Sequence, residues 1–111
     1  MKKCAEMGEI PESVAIDCFG VDFVLLDEND KIIGDTVSYR DERTLAVMDE
    51  VYSIISEEDL FKRTGIASQV FNTIYQLYAV KKETPEAFER AKRYLMLPEY
   101  FNFLLSGVKM N

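Results

Sequence analysis

The chain has 111 residues, 48% of them hydrophobic, with a net charge of −7 and no histidine. This length fits one domain with a packed core, while the acidic charge argues against non-specific binding to nucleic acid or to anionic lipid. No apolar run approaches the roughly 18 residues of a membrane span, and the lack of histidine removes the most common neutral-pH acid–base group and zinc ligand.

The first third of the chain predicts a small sheet. Residues 1–9 have helix-forming composition, and Pro11 ends any helix there. SVAID (residues 13–17) and VDFVLL (residues 21–26) are short and apolar, as buried strands are. An acidic turn and the apolar return at residues 27–34 complete a predicted β-hairpin.

After the predicted hairpin, apolar residues recur at helical spacing, which predicts four or five helices. Ser56 begins and Gly65 ends a short helix. Thr84 is predicted to cap a helix that starts at Pro85, and residues 98–107 form the last helix. The predicted apolar faces consist of Leu45, Met48, Val51, Tyr52 and Ile55; of Val70, Phe71, Ile74, Leu77 and Tyr78; of Phe88, Ala91 and Leu95; and of Tyr100, Phe101, Leu104 and Leu105.

The predicted strands are too few for a complete sheet. A buried strand such as SVAID needs strand neighbours on both sides. The hairpin can supply one neighbour, and the helical remainder supplies none. The sequence therefore predicts part of a larger α/β protein, or a chain that completes its sheet with a second copy or a partner.

The residues alone leave the candidate sites open. All five glycines are isolated, so there is no Gly-rich phosphate loop. Gly20, after a predicted strand, is either a bulge or a point where a ligand approaches the backbone, and the pattern does not decide. YRDERT (residues 39–44) is either a sugar-site wall or, as charge runs more often are, a capped helix start. Cys4 and Cys18 match no metal motif, and reduced thiols in the cytoplasm are the simplest interpretation.

Five segments carry a resemblance to a known family. VAIDCFGVDFVLLD (residues 14–27) resembles the strand–turn–strand of the rhamnulokinases, members of the FGGY family of carbohydrate kinases, although Cys18 and Phe19 stand where the usual form has threonine and tryptophan. The other four follow in the family's order and spacing, and together the resemblance covers nearly all of residues 5–111. They are SYRDERT (38–44), FKRTGI (61–66), FNTIYQLYA (71–79) and LMLPEYFNFLLSG (95–107).

The resemblance implies a fold for the chain. It implies a partial ribonuclease H-like (actin-like ATPase) α/β domain, with one core strand plus a β-hairpin followed by a helical cluster. Residues 1–111 would be a fragment of the kinase N-terminal domain that lacks the first phosphate-loop hairpin and the whole C-terminal domain. Lys2 to Met7 would be the remnant of the helix that follows that hairpin.

The resemblance also implies a function. The full-length enzyme would use Mg²⁺-ATP to phosphorylate the 1-hydroxyl of the ketose L-rhamnulose. Gly20 would contact the sugar, Tyr39 would line its pocket, and Asp41 would assist. No catalytic, cofactor or metal residue is assigned, because the phosphate loop and the catalytic base would lie outside this chain. The fragment alone is expected to be inactive and to bind neither ATP nor Mg²⁺.

Two alternatives to this function stay open. In the first alternative, the chain is a non-catalytic interaction module that is derived from a sugar kinase and dimerises through its exposed sheet edge. In the second, it is a kinase piece for a different ketose. The first alternative follows from the incomplete sheet. The second follows from Phe19, which replaces a tryptophan near the expected pocket.

Overall fold

A computed structural model describes residues 2–110. In chain order the elements are α1 (Lys2–Glu6), β1 (Phe23–Leu26), a 3-10 helix (Glu42–Thr44), α2 (Leu45–Ile54), α3 (Glu57–Thr64), α4 (Thr73–Glu83), α5 (Pro85–Arg90), β2 (Arg93–Met96) and α6 (Leu97–Ser106). Within this part of the chain, none of the helices has both the length and the apolar character needed to cross a membrane.

The sheet pairs a predicted strand with one that the sequence analysis assigned to a helix. β1 runs antiparallel to β2, with Phe23 opposite Met96 and Val24 opposite Leu95. The predicted helical face through Ala91 and Leu95 is therefore wrong. The backbone becomes extended at Ala91 (φ −64°, ψ 126°), and Leu95 is 1% exposed in β2. Pairing with β1 satisfies the backbone N–H and C=O groups of residues 93–96, which a buried strand cannot leave without hydrogen bonds. This stabilisation outweighs the helix preference that the spacing of the apolar residues predicts.

The predicted core strand at residues 13–17 is also wrong for the described chain. These residues lie in no strand, and Val14 is 52% exposed. Residues 10–20 form no backbone–backbone hydrogen bond with any part of the chain between residues 2 and 110. A β-strand forms only when its backbone is hydrogen-bonded to a second strand, and β1 pairs with β2 rather than with residues 13–17.

The predicted hairpin turn is confirmed, but its returning strand is reduced to a bridge. Leu26 pairs with Ile32, and the Ile33 amide donates to the Leu25 carbonyl at 2.8 Å. Oδ1 of Asp27 accepts the amides of Asn29 at 2.8 Å and Lys31 at 3.0 Å. The Asp27 carboxylate therefore fixes the turn by side-chain-to-backbone bonds.

The helix signals are confirmed in part. Oγ of Ser56 accepts the Asp59 amide at 3.1 Å, and Gly65 ends α3 in the left-handed conformation (φ 69°). The predicted Thr84 cap is wrong, because its hydroxyl donates back to the Val80 carbonyl at 3.1 Å and α5 has no side-chain cap. α4 starts only at Thr73, so the predicted face members Val70 and Phe71 precede it.

The core has three clusters that place helices on both faces of the sheet. Alternation along β1 directs Phe23 and Leu25 to one face and Val24 and Leu26 to the other. The first pair packs with Val80 of α4, and the second packs with Leu95 and with partly buried residues of α6. A separate cluster joins α2 to α4 through Val47, Val51, Tyr75 and Ala79.

Candidate functional site

Gly20 is a turn residue that faces a cavity. Its φ is +64°, a left-handed conformation that glycine adopts without strain, and no heavy atom lies within 4 Å of where a Cβ would be. The cavity has a volume of about 360 Å³, and its lining includes Phe71 and three polar residues, Thr64, Asn72 and Thr73. Glycine is required here for its conformation, and the open space leaves the backbone approachable. The sugar contact itself stays a prediction.

Tyr39 is held in an aromatic cluster. Its amide donates to Oδ1 of Asp22 at 2.6 Å. Its half-buried ring has a centroid 6.0 Å from that of Phe19 and 5.8 Å from that of Phe71, and the Phe71 contact is edge-on at 83°. Arg40 lies 5.5 Å from the ring centroid and donates from Nε to the Tyr39 hydroxyl at 3.1 Å. This cluster gives the site an apolar wall with a cationic rim.

Asp41 caps a helix. Its Oδ1 accepts the Arg43 amide at 2.9 Å at the start of the 3-10 helix, and its own amide donates to the Ser38 carbonyl at 2.9 Å. The capped helix start that the residue pattern favoured is therefore confirmed. A role for the exposed Asp41 side chain in sugar binding stays a prediction.

Phe71 connects two of the three predicted site residues. It lines the cavity that includes Gly20, and its ring contacts that of Tyr39. Phe19, next to Gly20 in sequence, contacts Tyr39 as well. The sequence analysis missed Phe71 because it assigned the residue to a helix face. An aromatic residue directly before the α4 N-cap, Asn72, was the available signal.

Gln76 is a second residue that the sequence analysis missed. This side chain on α4 is 1% exposed. Its Nε2 donates to the Phe71 carbonyl at 2.7 Å and to the Val21 carbonyl at 3.3 Å. The amide therefore ties the strand after Gly20 to the segment that carries Phe71. Its single available signal was a polar residue between the apolar Tyr75 and Leu77 of a predicted helix.

The side chains that the structure brings together around Gly20 and Tyr39 are suited to binding a small molecule. Between residues 2 and 110, no group of three or more His, Cys, Asp or Glu side chains is arranged to hold a metal ion. The described residues therefore offer no cluster that would hold a metal ion by protein side chains alone. A left-handed glycine, aromatic rings and neutral polar side chains suit a small polyol, which presents both C–H faces and hydroxyls.

Comparison with known proteins places the chain among carbohydrate kinases. Residues 5–111 match the N-terminal domain of the FGGY family of carbohydrate kinases. The chain is 57% identical to the rhamnulokinase of Halalkalibacterium halodurans and 52% identical to that of Oceanobacillus iheyensis, in each case over 100% of this chain and 24% of the relative. The rhamnulokinase of Mannheimia succiniciproducens is 41% identical over 97% of this chain and 22% of its own length. The chain thus spans about a quarter of the length of these curated relatives.

Solved structures share the fold at lower identity. A gluconate kinase and a ligand-bound xylulose kinase, both from Lactobacillus acidophilus, each superpose with a TM-score of 0.69 at 20% identity, over 78% of this chain and 18% of theirs. A xylulose-type kinase from Brucella ovis gives 0.63 at 20% identity, over 74% of this chain and 17% of its own. These neighbours are sugar kinases of the actin-like ATPase fold, and the two-stranded sheet with its helices is consistent with part of such a domain.

Proposed function

The chain belongs to the FGGY family of carbohydrate kinases, and on that premise we propose that it is the sugar-binding part of an ATP-dependent ketose kinase acting on L-rhamnulose. The observation that carries the proposal is one cavity that Gly20 and Phe71 both line, with the ring of Tyr39 in edge-on contact with the ring of Phe71. The 57% identity with a rhamnulokinase favours L-rhamnulose over other ketoses.

Each wall residue has a distinct proposed role. The backbone at Gly20 meets a sugar hydroxyl, because no Cβ blocks its approach. The rings of Tyr39 and Phe71 contact the C–H face of the sugar, as aromatic side chains in small-molecule sites do. Asp41 uses one oxygen for its cap, so its other oxygen remains to accept a hydroxyl hydrogen bond.

The transfer of phosphate is assigned to the rest of the enzyme. Phosphoryl transfer depends on positioned ATP, Mg²⁺ and a residue that orients the attacking hydroxyl. Residues 2–110 have no cluster suited to a metal ion. We therefore assign ATP and Mg²⁺ binding to the part of the relatives' length that this chain does not span. We also propose the cytoplasm as the compartment of the whole enzyme. The chain alone is expected to have no kinase activity.

A graft tests the proposal. The 111-residue chain replaces the matching segment of the H. halodurans rhamnulokinase, to which it is 57% identical. We expect the graft to phosphorylate L-rhamnulose at roughly 1–100 per second, as sugar and protein kinases commonly turn over. Phosphorylation of another ketose but not of L-rhamnulose would overturn the substrate assignment. Turnover by the isolated chain at such rates would overturn its predicted inactivity.

One observation favours a second candidate, a dimerising module without catalysis. Large apolar side chains stand exposed along residues 7–19, among them Ile10 at 79% and Phe19 at 84%, and residues 10–20 offer unpaired backbone groups to a second strand. Light scattering on the isolated chain separates the candidates. A concentration-independent monomer mass excludes the dimer, whereas a stable dimer together with an inactive graft would favour it.

A further inference from the structure

Gln76 is a buried amide on a helix face that is otherwise apolar. Its buried neighbours on α4 are Tyr75, Ala79 and Val80. Both Gln76 donor hydrogen bonds go to main-chain carbonyls, but its Oε1 is buried and has no partner within the described chain. An apolar side chain of similar size would avoid that unpaired oxygen but would leave the Val21 and Phe71 carbonyls without their Gln76 donors. The two backbone segments that the amide joins therefore account for a polar side chain here.

The two carbonyls to which Gln76 donates belong to residues that both line the cavity, Val21 and Phe71. Val21 directly follows Gly20, and the Phe71 ring meets the Tyr39 ring at 5.8 Å. The Tyr39 amide returns to Asp22, next to Val21, through a hydrogen bond of 2.6 Å. These contacts form a closed circuit. Within it, Gln76 links the segment of Val21 and Asp22, next to Gly20, to the aromatic residues Tyr39 and Phe71. The Val21 bond spans 55 positions of sequence, so it is a tertiary connection.

The geometry points to Gln76 as a positioning residue that fixes the Gly20 side of the sugar-binding wall relative to the aromatic side, an inference that rests on the proposed function. Gln76 is not among the residues that line the cavity. It therefore acts through Val21 and Phe71 rather than by touching the sugar. Loss of its amide lets the two sides shift apart and weakens sugar binding, while the residues assigned to ATP binding lie outside this chain and are unchanged.

The test uses the rhamnulokinase graft with Gln76→Met, which keeps the chain length and removes both donors. Gln69→Met, at an exposed glutamine, is the matched control. We expect the KM for L-rhamnulose to rise about tenfold, which corresponds to a loss of about 1.4 kcal/mol of sugar binding. The KM for ATP and kcat should stay within about twofold, the signature of lost uniform binding of one substrate. The control should change none of the three.

The outcomes separate this inference from the proposed function. An unsubstituted graft that does not phosphorylate L-rhamnulose overturns both. An active graft whose Gln76→Met variant keeps its KM for L-rhamnulose within about twofold, or raises both KM values equally, overturns only the positioning role. If Gln76→Met does not fold, Gln76→Leu removes both donors with a different apolar side chain of similar size, and the same criteria decide.

Discussion

The backbone amide of Tyr39 donates a 2.6 Å hydrogen bond to Oδ1 of Asp22, 17 residues earlier in the chain. Asp22 directly precedes β1, and its own carbonyl accepts the Leu97 amide at 2.9 Å. One residue therefore fixes the loop that carries Tyr39 and the junction between β2 and α6. The placement of the aromatic wall depends on the sheet as much as on the local loop.

Replacing Asp22 with alanine should destabilise the chain. A hydrogen bond to a charged group contributes about 1.5–3 kcal/mol, and we expect the free energy of unfolding in urea to fall by about that amount. Asp35→Ala, at an exposed aspartate, is the control and should change it by less than about 0.5 kcal/mol. Asp22→Asn keeps an acceptor oxygen and should lose less than alanine does. Equal effects of Asp22→Ala and Asp35→Ala would contradict the assigned bond.

Gly20→Ala should separate backbone strain from sugar contact. Gly20 and Gly65 have φ values of +64° and +69°, and a Cβ at either position meets no atom within 4 Å. Both alanine variants should therefore lose about 1–2 kcal/mol of unfolding free energy from the left-handed conformation. In the rhamnulokinase graft, only Gly20→Ala should also raise the KM for L-rhamnulose. A similar rise for Gly65→Ala would remove the case for contact at Gly20.

Sequence predicted most of the features whose signals are local, although the predicted Thr84 cap is wrong. The Ser56 cap and the Gly65 stop each lie within one turn of helix, and both are confirmed. SVAID was predicted as a strand and Leu95 as a helical residue, and both failed because strand formation depends on distant partners. The pattern of apolar residues shows which segment favours a strand, but it does not show which other segment will pair with it.

The residues of the candidate site were likewise predictable only in part from the sequence. Gly20 and Tyr39 were predicted from two of the segments that carry the resemblance, and their sugar contacts stay predictions, whereas Phe71, which links them, was not predicted. Phe71 and Gln76 lie 32 or more positions after Tyr39 in sequence, and their roles depend on how α4 docks on the strand. No periodicity shows that a buried amide reaches the Val21 carbonyl.

Phe19→Trp should shift sugar preference in the graft. Phe19 is 84% exposed and lies 6.0 Å from the Tyr39 ring centroid, while the rhamnulokinase segment that it resembles has tryptophan. The wider indole ring covers roughly 20–50 Å² more apolar surface of a bound sugar, worth about 0.5–1.3 kcal/mol at about 25 cal/mol per Å², so kcat/KM for L-rhamnulose should rise about two- to tenfold relative to D-xylulose. Unfolding free energy should stay nearly constant at so exposed a site. A shift toward D-xylulose would instead support the alternative of a different ketose.

Ser56→Ala should cost more stability than Thr84→Ala. Oγ of Ser56 accepts the Asp59 amide at 3.1 Å, whereas the Thr84 hydroxyl only donates back to Val80 at 3.1 Å. Loss of an N-cap costs about 0.5–2 kcal/mol, and loss of a back-bonded hydroxyl costs little because such bonds slightly disfavour the helix. Urea denaturation of both variants checks the order. A larger loss for Thr84→Ala would mean that its hydroxyl has a capping role after all.

Tyr75 gives the chain a pH-dependent stability. Its side chain is fully buried, and its hydroxyl donates to the Tyr52 hydroxyl at 2.8 Å beside Ser68. Burial raises the pKa of Tyr75 above its ordinary value of 10.0. The folded chain therefore keeps this proton at a pH where the unfolded chain has lost it. The contribution is fully present below about pH 10 and is lost as the pH rises through the folded pKa.

Tyr75→Phe removes that titration and should reveal it. At pH 8 the variant should be less stable than the wild type by about 0.5–1.5 kcal/mol, because it lacks the hydroxyl's hydrogen bonds. Above pH 10 the wild type should lose stability more steeply than the variant, so the gap in unfolding free energy should narrow. Urea denaturation of both proteins from pH 8 to pH 11 measures the gap, and the constant difference expected between pH 8 and pH 9 is the internal control. A gap that stays constant or widens above pH 10 would contradict a raised pKa at Tyr75.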